Sequence, residues 1–210
     1  MAKRGGASLT RSVGSRQPKK RVVVVCEGAK TEPSYLRLIN RRATDALIEL
    51  EVVDEDATSP KQLVERACHI MTAALREARR TRDPNAKVDE IWCVFDVDEH
   101  PMLREAKQQA EANGVDVVIS NPSFEVWLLL HFTEQTAHLH RDHALGNLKK
   151  FIPDYDKCLR TLDELEGRFE EAKQRSIRLD RKHQGDETPF PENNPSTGMW
   201  RLVDSLQAAY

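Results

Sequence analysis

Val22-Val23-Val24-Val25-Cys26 is apolar at every position. Side chains alternate faces along a strand, so a strand apolar throughout has both faces covered, which is the condition of a central strand in a parallel sheet with helices on each side. Residues 90–98, Glu-Ile-Trp-Cys-Val-Phe-Asp-Val-Asp, form a second such run, and Val115 to Ile119 a third. Leu47 to Val53 interleaves Glu49 and Glu51 with apolar residues and reads as a half-covered strand. The spacing between these runs is filled by helical patterns. The fold class expected is therefore α/β, with a mostly parallel sheet flanked by helices and a helical C-terminal extension.

The helices have their own punctuation. Thr31 or Glu32 can cap a first helix that carries Pro33 in its opening turn and turns Tyr35, Leu36, Leu38 and Ile39 inward. Ser59-Pro60-Lys61-Gln62 has the form of a capping box, and Leu63, Val64, Ala67, Met71, Ala74, Leu75 and Ala78 recur at helical spacing until Asp83-Pro84. A third helix is expected from Pro101 to Asn113, closed by Gly114 in the left-handed position. Asn121-Pro122 is read as the start of a fourth, running through Phe124 to about His131. Residues 133–157 read as a mixed polar stretch and 158–183 as a charged helix interrupted by Gly167. Trp200, Leu202, Val203 and Leu206 give a last helix its packing face.

Composition limits the class of protein. The 210 residues, 39 % hydrophobic and 31 % charged, suit a single soluble domain with appendages, and no apolar run approaches the roughly 20 residues of a membrane span. The basic leader lacks the apolar stretch of a signal peptide. Cys26, Cys68, Cys93 and Cys158 form no paired motif, and the two in apolar strands read as reduced core residues. A cytoplasmic protein without membrane contact is expected. Residues 1–21 hold seven basic side chains and no acid, which leaves the remainder at −9. Residues 1–20 are thus a disordered basic arm, either an arm for nucleic acid or an acidic partner or a silent tail; residues 21–132 are the α/β core and 133–210 the extension packing on it.

Ligands of parallel sheets bind at the carboxyl ends of strands. Glu27 closes the first strand, Asp96 and Asp98 the third, and Ser120 with Asn121 the fourth. Asp96 and Asp98 are two positions apart, so in a strand they share a face with Cα atoms about 7 Å apart. Their repulsion is relieved by a divalent cation, Mg²⁺ or Mn²⁺, or by solvent if the strand ends in an exposed acidic turn. As metal ligands and acid or base, Glu27, Asp96 and Asp98 would support phosphodiester chemistry, with Glu125, set in the apolar run Phe124 to Leu130, as a fourth ligand.

Other polar residues offer phosphate contacts. Glu27-Gly28-Ala29-Lys30-Thr31 is not an ATP-binding loop, because Val24 and Ala29 stand where glycines are required. Lys30 and Thr31 can still touch a phosphate. Asn-Pro-Ser-x-x-x-Trp occurs at 121–127 and at 194–200, which suggests asparagine caps and, at Asn121 and Ser123, backbone and hydroxyl groups for a phosphate. Arg175, Arg178 and Lys182 fall on one helical side that either tracks a nucleic-acid backbone or complements the helix dipole. His138, His140, Asp142 and His143 match no strong zinc spacing and read as a solvated loop.

Four stretches taken together, VVVVCEGAKTEPSYL, IWCVFDVDEH, ISNPSFEVWLLLHF and ENNPSTGMWRLVDSL, resemble in this order the RloB-like family. The resemblance spans about Val22 to Leu206. It implies a Toprim-type catalytic domain related to OLD-type nucleases, with Glu27 as the Toprim glutamate and Asp96 and Asp98 as its D-x-D pair. Mg²⁺-dependent cleavage or rearrangement of phosphodiester bonds in a nucleic acid, DNA or RNA, is the activity implied, within a prokaryotic defence or restriction-associated system and often with an ATPase partner. A Toprim fold also suits a non-catalytic partner or sensor subunit, because fold alone does not choose a chemistry.

Overall fold

The computed structural model describes residues 20–27, 30–42, 46–52, 59–97, 102–160 and 163–207. Its sheet contains β1 (Lys20–Cys26), β2 (Ala46–Val52), β3 (Glu90–Asp96), β4 (Asp116–Asn121) and the two-residue β5 (Ser196–Thr197), in the order β2-β1-β3-β4-β5. The first four are parallel, and β5 runs antiparallel to β4. β1 lies between β2 and β3, with Val24 opposite Leu50 and Trp92. That is the central position its unbroken apolar run requires.

Alternation along the strands divides the core in two. Val22, Val24 and Cys26 join Trp92, Val94 and Val118 on one face. Five helices supply most of the rest of that core: α1 (Thr31–Arg42), α4 (Glu125–Leu130), α5 (Arg141–Leu148), α6 (Phe169–Gly185) and α7 (Met199–Gln207). On the other face Val23, Val25, Ile91, Cys93 and Phe95 meet α2 (Pro60–Thr81) and α3 (Leu103–Ala112). All five side chains from Val22 to Cys26 are buried, and each such burial is worth about 1.5–3 kcal/mol. The four cysteines carry free thiols, with Cys26 and Cys93 buried.

The capping box of α2 forms in full: Gln62 N donates to Ser59 Oγ at 3.3 Å and Ser59 N donates to Gln62 Oε1 at 2.9 Å. Leu75 departs from expectation and is 39 % exposed. At about 100° per residue it falls near 120° from Leu63, on the margin of the apolar stripe. Gly114 adopts φ +67°, as the end of α3 demands.

Three readings are corrected. Asn121 does not cap a helix but ends β4, and α4 begins only at Glu125. Residues 133–157 are not a polar stretch; they hold α5 and bury Leu139, Ala144, Leu148, Ile152 and Tyr155 in the same core as β1 and β3. Gly167, at φ +71°, precedes α6 instead of interrupting it, because the chain turns there between a 3-10 turn at Asp163–Leu165 and the helix. Among the described residues no helix is long and apolar enough to cross a membrane. The basic arm, apart from Lys20, lies outside them.

Candidate functional site

β1 and β3 are adjacent and parallel, so their carboxyl ends open on one edge of the sheet. Glu27 N donates to Val94 O at 3.2 Å, which carries the β1–β3 pairing one residue past Cys26 and fixes the backbone of Glu27. Asp96 is the last residue of β3 and is 9 % exposed. It shares parity with Trp92 and Val94, so it belongs to the face that α1 and α4 cover. Asp98 lies outside the described residues.

Two further carboxylates approach from the helices of that face. Glu125, first residue of α4, is 5 % exposed, and both its oxygens accept hydrogen bonds: Ser123 Oγ donates to Oε2 at 2.6 Å and Tyr155 Oη to Oε1 at 3.3 Å. The lone acid in an apolar run therefore has buried partners, as desolvation demands. Burial holds the Tyr155 hydroxyl above its usual range, reinforced by the charge of Glu125. Glu32, in the first turn of α1, is also buried. Its carboxyl is raised first by desolvation and further by the charges of Glu125 and Glu27, while Arg141 opposes the shift.

Arg141 is the first residue of α5, and its guanidinium stands 3.9 Å from Asp96 Oδ2. Glu27, Glu32, Asp96 and Glu125 thus share one electrostatic neighbourhood with an arginine at its rim. Oxygen-only donors suit a hard cation such as Mg²⁺ or Mn²⁺, and the repulsion that raises Glu32 is what a divalent cation would relieve. The donor chemistry fits that ion. Among the described residues no three His, Cys, Asp or Glu side chains form a ready metal cage.

The other sequence candidates divide by their partners. Lys30 is exposed at the start of α1. Thr31 Oγ1 donates to the carbonyl of Lys157 at 3.1 Å, and Leu159 N donates to Ser34 Oγ at 3.1 Å, so the 157–159 segment fastens the N-terminal turn of α1. Ser123 serves Glu125. The two Asn-Pro-Ser segments meet each other: Ser196 lies opposite Asn121 across the β4–β5 pairing, and Asn194 Nδ2 donates to Asn121 Oδ1 at 3.1 Å. Asn121 Nδ2 in turn donates to Pro191 O at 2.7 Å.

Arg175 donates to Leu130 O at 2.6 Å, and Arg178 pairs with Glu134. Both are committed to contacts that hold α6 against the end of α4. Of the histidine group, His140 caps α5, its Nδ1 accepting from Asp142 N at 3.3 Å, and its ring lies 6.0 Å from that of His143.

Glu32, Arg141 and Tyr155 are the site residues that the sequence reading missed. Glu32 had a signal, an acid in the first turn of the helix that leaves the first strand end. For Arg141 and Tyr155 there was none, since only tertiary packing carries the extension back to the strand ends. Comparison with curated proteins and with solved structures finds no match. A family model described as RloB-like protein matches residues 22–206.

Proposed function

The chain belongs to the RloB-like family, and we propose that it is a metal-dependent phosphodiesterase acting on nucleic acid. One observation carries the reading: buried and half-buried carboxylates just past β1, in α1, at the end of β3 and in α4 gather at the carboxyl edge of a parallel sheet, where desolvation and then the charges of Glu125 and Glu27 raise Glu32. Acids gathered against desolvation and repulsion make sense as ligands of a cation. Glu27, Asp96 and Asp98 would hold Mg²⁺ or Mn²⁺, with Glu32 or Glu125 beside them. Such an ion supplies positive charge against a phosphate and acidifies water.

The protein's own groups do the rest. Glu27, at the strand end and half-buried, is the group to take up or return a proton during cleavage. Glu125 is held on both oxygens by Ser123 and Tyr155, so it keeps one orientation and fixes the field felt by Glu32. Leu128, Leu129 and Leu130, later in the same helix, are fully buried. A Toprim-type assignment, a defence role and an ATPase partner belong to the same proposal, supported by the ordered family motifs.

The test is cleavage of single- and double-stranded DNA and RNA in Mg²⁺, in Mn²⁺ and in EDTA, by wild type, Glu27→Gln and Asp96→Asn. Metal-dependent cleavage lost in both variants is expected. Equal cleavage by all three would remove the site from the reaction. Binding without cleavage, unaffected by metal, would instead fit a non-catalytic subunit.

A further inference from the structure

Arg141 reaches the carboxylate edge from outside the α/β core, and its position is built. Leu139, two residues before it, is held on both backbone groups by one side chain: Leu139 N donates to Asn194 Oδ1 at 2.8 Å and Asn194 Nδ2 donates to Leu139 O at 3.0 Å. Asn194 is itself clasped to Asn121 at the end of β4. Ala144 and Leu148 then bury one side of α5. This clasp delivers the Arg141 guanidinium to within 3.9 Å of Asp96.

The arginine side chain is 42 % exposed and the aspartate side chain 12 %, and at 3.9 Å the contact between these two atoms is an ion pair rather than a hydrogen bond. A divalent cation held by Asp96 would share the arginine's counter-charge and repel the guanidinium, turning it toward whatever anion enters the site. A guanidinium presents a planar fork of donors that matches two phosphate oxygens, which a lysine does not.

We infer that Arg141 is a substrate-binding catalytic residue that leaves Asp96 when metal binds and takes the non-bridging oxygens of the reacting phosphate. The inference rests on the phosphodiesterase reading. It assigns to the helical extension, through the Asn121–Asn194–Leu139 clasp, a direct part in the reaction. A purely structural arginine would instead serve as the fixed counter-ion of the acidic edge.

The experiment compares wild type, Arg141→Ala and Arg141→Lys in three readouts. These are Mn²⁺ affinity by titration, binding of mixed-sequence DNA and RNA oligonucleotides in Ca²⁺, and cleavage in Mn²⁺. Removing a cationic phosphate donor is expected to cut cleavage by about 100-fold or more. Oligonucleotide binding should weaken with it, while Mn²⁺ affinity stays equal or rises, because a competitor for Asp96 is gone. Arg141→Lys should restore only part of the cleavage.

Cleavage and oligonucleotide binding by Arg141→Ala within about threefold of wild type would overturn the inference and leave the phosphodiesterase reading standing. So would loss of Mn²⁺ binding alongside cleavage, the mark of a structural counter-ion. A wild type that neither binds Mn²⁺ nor cleaves would remove both.

Discussion

Ser123→Ala should destabilise the protein by about 2 kcal/mol. Ser123 is fully buried and donates at 2.6 Å to a carboxylate that is only 5 % exposed, and hydrogen bonds to charged groups contribute about 1.5–3 kcal/mol. Tyr155→Phe removes the longer bond of 3.3 Å from the same carboxylate and should cost nearer 1 kcal/mol. For a chain of this length 2 kcal/mol corresponds to a fall in melting temperature of about 4–8 °C.

Urea unfolding at neutral pH without metal measures both, and a double-mutant cycle with Glu125→Met apportions them. The cycle should return about 1.5–2 kcal/mol of coupling for Ser123–Glu125 and about half that for Tyr155–Glu125. Coupling under about 0.3 kcal/mol in both arms would mean that Glu125 is not held by these hydroxyls. Its fixed orientation in the site would then have no basis.

Burial depresses the His131 imidazole from its usual 6.5 to about 4, aided by Arg175 and Arg168, and the ring bonds Trp127 O through Nδ1 at 2.9 Å. A depressed histidine gives stability that is present above its unfolded value and lost as pH falls toward its folded one. Wild type should therefore lose about 2 kcal/mol more than His131→Asn between pH ~7.5 and pH ~5, and equal slopes in urea titrations would contradict this. Glu32 has the opposite sign: its raised carboxyl makes the fold less stable as pH rises above the usual 4.5. Without divalent metal Glu32→Gln should melt higher than wild type at neutral pH, with the gap closing in acid; a lower melting point at neutral pH would refute the cost of burying this carboxyl beside Glu125 and Glu27. Asn194→Ala removes bonds to both backbone groups of Leu139 and to Asn121 and should cost about 2–3 kcal/mol by chemical denaturation, while a loss under about 0.5 kcal/mol would deny the clasp.

The sheet was legible because its signals are local. Val22–Cys26 and Ile91–Phe95 carry their two-sided burial in composition, and Ser59 to Gln62 spells its cap in four residues. Glu27 and Asp96 followed from the rule that parallel strands open their ligand edge at the carboxyl end. The family resemblance spanned the segment that the family match covers. The extension was illegible for the opposite reason. Leu139, Leu148 and Tyr155 are spaced among charged residues with no regular period, and their burial depends on a surface that β1, β3 and α4 create. The repeated Asn-Pro-Ser was seen but its meaning was not, because side chains 73 positions apart meet only after β5 has paired with β4.

Mn²⁺ titration of wild type and Asp96→Asn, followed by the loss of free-ion signal in paramagnetic resonance, addresses the cation directly, before any substrate is known. The wild type should bind Mn²⁺, and the variant should bind it about tenfold or more weakly through loss of a charged oxygen ligand. Equal binding by the two proteins, or none by the wild type, would contradict a metal site at the end of β3.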